Sequence, residues 1–519
     1  MKIIKESFIS LLLLLIVVLS SCSKDNDTND VNVPDDPSDP DDPIEVTVTT
    51  SDFTTSIVEN PVQGQVLGIV QGSTNQGTVK FYTELSEQTP PVSFLVDSLS
   101  GELSVLVVSN YDYELNTSIT GIVKVANGDV FKNSTITINI DDIYDNQYVG
   151  DVLLLTQEEV DGFGANIYTE ITGALNIGSV DSPNSSITDL NPLLSIETVG
   201  NGLSIAQNNA LTNLNGLENI ETLGWGKLEL IQNDILVDIS SLTGINSVNG
   251  NLRILENNLL DNIDGLNNIT SIQNLVISNN LSLTNIEGLV NLETIETNSN
   301  NNGGSISINN NSVLLNINPL RNVSNIESGY VFVSDNQMLT DIDIVNNTGV
   351  LSRVLIKNNN SLVDISGFSN LINIVNDFQL VGNSNLNTIS GFNNFNISGE
   401  DLVIEGTALN NLGFLGELLK VEGNFYIFGN NNLTNLNGLN NLNLTNNIEI
   451  YYNQALKNLN GLNTLGQARN IYVVGNNQII DFCSLQNFLT NGNHLGNFGA
   501  WDNLFNPSKQ EIIDGDCSL

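Results

Sequence analysis

Tyr426, Tyr451, Tyr452 and Tyr472 fall in the corresponding segments of three successive stretches of this 519-residue chain. Tyr426 and Tyr472 each sit between apolar neighbours, and Tyr451 takes the next position in its own stretch. A phenol ring offers an apolar face and a polar tip, a combination suited to stacking on sugar rings, although tyrosine also favours strands for ordinary packing reasons. Little else in the chain is equipped for covalent or metal chemistry. There is one histidine, His494, and of the three cysteines Cys483 and Cys517 lie near the C-terminal end. Two cysteines and a single histidine fall short of the four-ligand set of a structural zinc site. Acidic residues such as Glu229, Glu256, Glu287 and Glu405 are scattered singly, whereas glycoside cleavage needs two carboxylates at a set separation across a groove. Binding, not catalysis, is the expectation.

The tyrosines are carried by a unit of about 24 residues that recurs from Leu175 to Leu485. Its frame is Leu203-x-Ile205-x-x-Asn208-x-x-Leu211-x-x-Leu214-x-x-Leu217, repeated through Leu228/Leu230/Asn233, Leu252/Ile254/Asn257 and Leu275/Ile277/Asn280. Later units keep it around Asn311, Asn336, Asn359, Asn383, Asn430, Asn453 and Asn476. The alternation of Leu203 and Ile205 suits a short strand with one face inward, and the following steps of three do not fit a helix. One such coil cannot bury its own apolar face, so neighbours must stack into a solenoid. A line of identical amides invites a ligand-binding interpretation. Asparagine in a tight turn, however, bonds neighbouring backbone and tolerates left-handed dihedrals, so these residues are assigned a structural role. Two coils depart from the frame through Asn298 to Gly304 and Gly178 to Pro183, where surface loops are expected. The coil at Leu402/Ile404 runs one residue short, with Gly406 near the asparagine position.

The pattern LxIxxNxxLxxLxGLxxLxxVxG resembles the receptor L-domain family, relatives of the leucine-rich repeats, across residues 148 to 519. The resemblance implies a right-handed parallel solenoid that binds rather than catalyses. The Gly-rich third segment, as in Val248-Asn249-Gly250 and Val421-Glu422-Gly423, favours it over an ordinary leucine-rich horseshoe. Caps are expected at both ends. Thr156-Gln157-Glu158-Glu159 has the form of a capping box that starts a short helix. Leu485, Phe488 and Leu489 stand at helical spacing, and Asn506-Pro507 opens a second helix that ends near Gly515.

At the other terminus, Lys2 and Lys5 precede an apolar run from Phe8 to Leu19, too short to span a bilayer and suited to a signal peptide over residues 1–21. Leu19-Ser20-Ser21-Cys22 resembles a bacterial lipobox, which implies that Cys22 receives a lipid and becomes the new N-terminus. Multiple acyl chains then give stable anchoring. Ser23-Lys24-Asp25-Asn26-Asp27 resembles the acidic export signals of lipoproteins carried to the outer face of the outer membrane, which implies a lipid-anchored, surface-exposed protein. In an exported chain the remaining pair, Cys483 and Cys517, is expected to form a disulfide closing a loop of about 34 residues, worth roughly 3 to 4 kcal/mol. Residues 22–45 are rich in Asp and Pro and nearly free of apolar side chains, so they read as an extended acidic tether.

Residues 46–146 alternate apolar and polar side chains between Gly, Asn and Asp turns, as expected of an antiparallel sandwich of about 100 residues. Val58-Glu59-Asn60, Phe94-x-Val96-Asp97-x-x-Ser100-Gly101-x-Leu103, Tyr111-Asp112-Tyr113-Glu114 and Asp142-Ile143-Tyr144-Asp145-Asn146 resemble segments of a cadherin repeat. That resemblance implies that Glu59, Asp112, Glu114, Asp142 and Asp145 gather at one end of the sandwich and bind calcium, a hard cation that takes six to eight oxygens. Tyr144 replaces the asparagine of the final motif, and Ala126-Asn127-Gly128 stands where an Asp-x-Asp segment is usual, so the sequence departs from the family's three-ion pattern at these two places.

Composition narrows the partners. Fifteen Lys plus Arg against 58 Asp plus Glu give a net charge of -43, which excludes nucleic acid, whose phosphates need clustered cations. The expected architecture is all-β: a cadherin-like sandwich over 46–146 followed by a parallel β-solenoid over 147–519 with short capping helices. The expected function is that of a non-enzymatic surface lipoprotein for adhesion or for binding a glycan or protein ligand through the solenoid, with Tyr426, Tyr451 and Tyr472 as contact residues. A polysaccharide-degrading β-helix enzyme and a self-associating surface-layer component are the alternatives.

Overall fold

The computed structural model describes residues 44–519 apart from 114, 143–146, 183–185, 297–303, 325, 327–328, 492 and 495. Cys22, Glu114 and Asp145, together with the signal segment and nearly all of the tether, lie outside the described residues. The chain divides into two compact units, Met1–Ile143 and Tyr144–Leu519.

In the first unit, Phe53–Val58, Val130–Asp141, Ser118–Asn127 and Lys80–Thr83 form one sheet in that order, and Val66–Ile69, Glu102–Val105 and Phe94–Val96 form another. Alternation builds the core between them: Ile136, Ile138 and Ile140 point in with Ile119, Val123 and Phe94, while Asn139 is exposed. The long hairpin turns at Gly128, whose φ of +61° suits the tight connection between Asn127 and its partner Val130. One pairing departs from the antiparallel expectation. Phe53–Val58 runs parallel to Val130–Asp141, with Ile57 beside Ile140 and Val58 beside Asp141, because the first strand joins the free edge of the last.

In the second unit the recurring frame becomes stacked coils. Short strands pair in parallel from Val152–Leu154 to Phe498–Trp501, each coil adding one rung to a continuous sheet. A second column of two-residue strands, among them Glu170–Ile171, Thr198–Val199 and Thr222–Leu223, lines another wall. The all-β solenoid is therefore the fold. The paired apolar residues of each strand, Leu203 and Ile205 through Ile471 and Val473, are fully buried in one uninterrupted core. Coils approach closely enough that a Cβ on Gly288 would meet the Ile263 carbonyl oxygen at 1.8 Å, which explains a glycine before the leucine in this part of the frame.

The frame asparagines are buried and structural. Asn233 Oδ1 accepts the backbone N–H of Asn208 at 3.1 Å and its Nδ2–H at 3.2 Å, and Asn233 Nδ2 donates to the Ile205 carbonyl at 2.9 Å. The same relation continues through Asn257, Asn280, Asn311, Asn336, Asn359 and Asn383. The coil at Leu402/Ile404 is not shortened before the ladder: Gly406 occupies the turn that precedes it, with φ of +62°, and Thr407 takes the asparagine's place, its N–H and hydroxyl both donating to Asn430 Oδ1, at 3.0 and 2.7 Å. Asn503 and Asn506 close the far end.

Both caps form. Thr156 and Glu159 make a reciprocal capping box that starts helix α1 (Gln157–Gly164). At the C-terminus α2 (Gln486–Asn491) and α3 (Lys509–Asp514) pack together, with Ser508 and Glu511 capping α3 and Gly515 ending it at φ of +98°. Cys483 and Cys517 form a disulfide across 34 residues, and the Phe482 N–H donates to the Cys517 carbonyl, so the tail is tied to the last coil twice.

Asn233→Ala removes the acceptor of two donors and the donor to a buried carbonyl, so a loss of about 3 kcal/mol or more is expected. Chemical denaturation checks this; an unaltered melting curve would refute the structural role. Cys517→Ser is expected to cost about 3 to 4 kcal/mol. In that variant, hydrogen exchange should accelerate first in residues 470–519, where the cap is fastened.

Candidate ligand-binding face

The side of the main sheet that points away from the core is organised in columns, because parallel registration stacks equivalent residues of successive coils. The central column runs Asn176, Ser204, Glu229, Arg253, Val276, Ser307, Phe332, Leu355, Gln379, Val403, Tyr426, Glu449, Tyr472, Gly499. Its two ends differ chemically. Near the N-terminal end, the buried Glu229 carboxylate is held by Lys227 at 2.5 Å and Arg253 at 2.8 Å. Toward the C-terminal end the column becomes aromatic.

Tyr426 and Tyr472 share that column with Glu449 between them, and Tyr451 stands one column over, beside Phe428 and Val474. The three tyrosines are thus neighbours, but not a single unbroken row. The Glu449 carboxylate interrupts them. Burial, followed by the negative charge of Glu449, raises the pKa of both Tyr426 and Tyr451 above the ordinary phenol value. Both phenols therefore remain protonated and can act as donors.

Trp501, Tyr452 and Phe428 surround this patch. Trp501 is 47% exposed, packs against Tyr472 with ring centres 6.0 Å apart, and lies over Gly499, where a Cβ would meet its ring at 2.3 Å. Tyr452, left-handed at φ of +56°, sits over Gly475 in the same manner and packs edge-on against Phe428 at 5.6 Å. A half-buried amide ladder flanks the rings. Asn424 donates to Asp401 Oδ1 at 3.0 Å, Asn447 to Asn424 at 2.7 Å and Asn470 to Asn447 at 2.8 Å. The signal for this ladder is an asparagine directly before the first apolar strand residue, as in Asn424-Phe425, Asn447-Ile448 and Asn470-Ile471. Trp501 belongs to a coil where the leucine frame has faded, so periodicity alone passes over it.

The scattered carboxylates occupy separate places. Glu229 is in the central column, Glu405 aligns with Phe428, Glu256 accepts Gln232 Nε2–H at 2.9 Å beside the asparagine ladder, and Glu287 opens a 3-10 turn.

In the first unit, Glu59 and Asp142 follow paired strand ends, and the Glu59 N–H donates to the Asp141 carbonyl. The Tyr113 N–H donates to Glu59 Oε2 at 2.9 Å, which brings the Asp112 segment to the same end. Asp112 Oδ1 caps its own turn through the Leu115 N–H. Asp142 Oδ1 is buried without a hydrogen-bond partner. Among the described residues, no group of three or more His, Cys, Asp or Glu is placed to hold a metal, and no helix is long and apolar enough to cross a membrane.

A parallel solenoid with an open, side-chain-rich sheet face belongs to the class of repeat-built binding modules. Residues 244–351 match the Receptor L domain family, a shorter stretch than the 175–485 over which the frame persists. The match fits a ligand-binding, repeat-built protein. No curated protein matches the chain.

Proposed function

We propose that this chain is a non-enzymatic surface lipoprotein that binds glycans through the C-terminal part of its solenoid face. The observation that supports this most strongly is the cluster of Tyr426, Tyr451, Tyr472 and Trp501 around Glu449, beside the Asn424–Asn447–Asn470 amide ladder. Ring faces suit the C–H surface of a pyranose, and amide and carboxylate groups suit its hydroxyls. The dispersion of Glu229, Glu256, Glu287 and Glu405 supports binding over hydrolysis, which needs two carboxylates facing one bond. Lipid attachment at Cys22 and the acidic tether over 22–45 supply an anchor and reach.

Calcium belongs to the proposal as a stabiliser of the first unit. The buried, unpartnered Asp142 Oδ1 beside Glu59 suits a cation, and Asp112, whose Oδ1 accepts a single backbone N–H, belongs to the same set. Glu114 and Asp145 complete the ligand set in this proposal.

The soluble ectodomain, residues 23–519, should bind specific glycans on an array, and Tyr426→Ala with Tyr472→Ala should lower the affinity about tenfold or more. A blank array would move the assignment to protein partners or self-association, and full binding by the double variant would remove the tyrosines from the site. Millimolar calcium should raise the melting temperature of the wild type but not of Asp142→Asn or Glu114→Ala. No shift in the wild type would eliminate the ion.

A further inference from the structure

The same sheet face carries a second recess. Tyr330, Phe332, Ser352, Arg353, Leu355 and Asn376 line a cleft of about 260 Å³, smaller than the usual pocket of a drug-sized ligand and suited to a single sugar ring. Tyr330 is 44% exposed. Arg353 directs one guanidinium nitrogen to Asp377 at 3.0 Å, yet its Nε–H is buried with no hydrogen-bond partner. Asn376 Nδ2 donates to Ser352 Oγ at 2.8 Å, which holds an amide and a hydroxyl at the cleft wall. An aromatic ring, a guanidinium, an amide and a hydroxyl, all on the cleft wall, complement the face and vicinal hydroxyls of a pyranose. Asp377 already balances the Arg353 charge, and a chain of net charge -43 repels anions, so the ligand is a neutral sugar.

This cleft and the tyrosine patch lie on one line. The central column leads from Phe332 through Leu355, Gln379 and Val403 to Tyr426, and on through Glu449 to Tyr472. The three intervening residues are uncharged and only half-buried. At about 4.8 Å per strand, Phe332 stands roughly 19 Å from Tyr426 and roughly 29 Å from Tyr472. An extended chain of 1,4-linked pyranoses advances by a comparable distance per unit. Equatorially linked β-1,4 chains are flat and straight, as a ligand laid along a sheet must be, whereas axially linked chains coil away from it.

Resting on the glycan assignment above, we infer that the solenoid face binds a neutral β-1,4-linked polysaccharide lengthwise. The Tyr330/Arg353 cleft holds one part of the chain, and the Tyr426/Tyr472 patch holds another. Two linked contacts raise affinity without any new chemistry, because the second is made at high local concentration.

Calorimetric titration of the full ectodomain with cellohexaose, mannohexaose and xylohexaose, each against its trisaccharide, tests this. At least one hexaose should bind about tenfold or more tighter than its trisaccharide. In Tyr330→Ala with Arg353→Gln that ratio should fall to about one; Tyr330→Ser alone, at an exposed position, repeats the comparison should the double variant melt early. A wild type that binds a trisaccharide and its hexaose equally would overturn the lengthwise mode while sparing the tyrosine patch. A ratio retained in the variants would overturn the cleft's part in it. Absence of binding to all six sugars overturns the inference, and only a blank glycan array would take the glycan assignment with it.

Discussion

Asn208, Asn233 and their successors are buried without solvent exposure among leucines and isoleucines, where an amide lacking partners would cost several kcal/mol. Along the ladder that cost is avoided because the next coil supplies an Oδ1 and the previous one a carbonyl, although Asn208 Oδ1, at the start of the ladder, is buried without a partner. The residue before each asparagine adopts a left-handed conformation, with φ of +58° at Gln207, +54° at Gln232 and +57° at Glu256, a geometry that side chains disfavour. Turn strain and buried polarity are thus both offset by one inter-coil network. A coil removed from its neighbours would keep the strain and lose the bonds, so the array is held as a unit.

That interlock sets the register of everything outside it. Because strand side chains alternate, an inward ladder that cannot slip leaves the outward residues equally fixed, and columns form. Tyr426 and Tyr472 meet across Glu449 because their strands are registered by Phe425, Ile448 and Ile471 beneath them. The rings of Tyr452 and Trp501 find room because Gly475 and Gly499 lack side chains. A surface built in this way is prepared before any ligand arrives, which limits the ordering entropy that binding must overcome.

The two units handle their chain ends differently. The solenoid needs covers for its terminal coils, and these are α1 with its Thr156/Glu159 box and the disulfide-fastened C-terminal segment. The sandwich closes by bringing its first long strand parallel to its last, and the acidic segments then meet at one end. Glu59, Asp112 and Asp142 are far apart in sequence, yet two of them use oxygens on backbone N–H groups, and only Asp142 keeps a buried oxygen without a partner.

The sequence by itself determined the solenoid. Periodicity in leucine, isoleucine and asparagine is a local pattern, and the physics it encodes, an apolar stripe that one coil cannot bury, admits few folds. It also determined the caps, since a capping box and a helical apolar spacing are contained in short segments. Tertiary structure alone decided which residues share the outer face of the sheet. Which outward residues become neighbours depends on the register of every intervening coil: Val403 and Tyr426 stay in line across the coil where Thr407 replaces the asparagine, and Tyr451 falls one column aside from Tyr426 and Tyr472. The Tyr330/Arg353 cleft and the amide ladder beside the tyrosines likewise join residues some 23 positions apart, because contacts across a stack are set by three-dimensional registration and leave no contiguous motif to read.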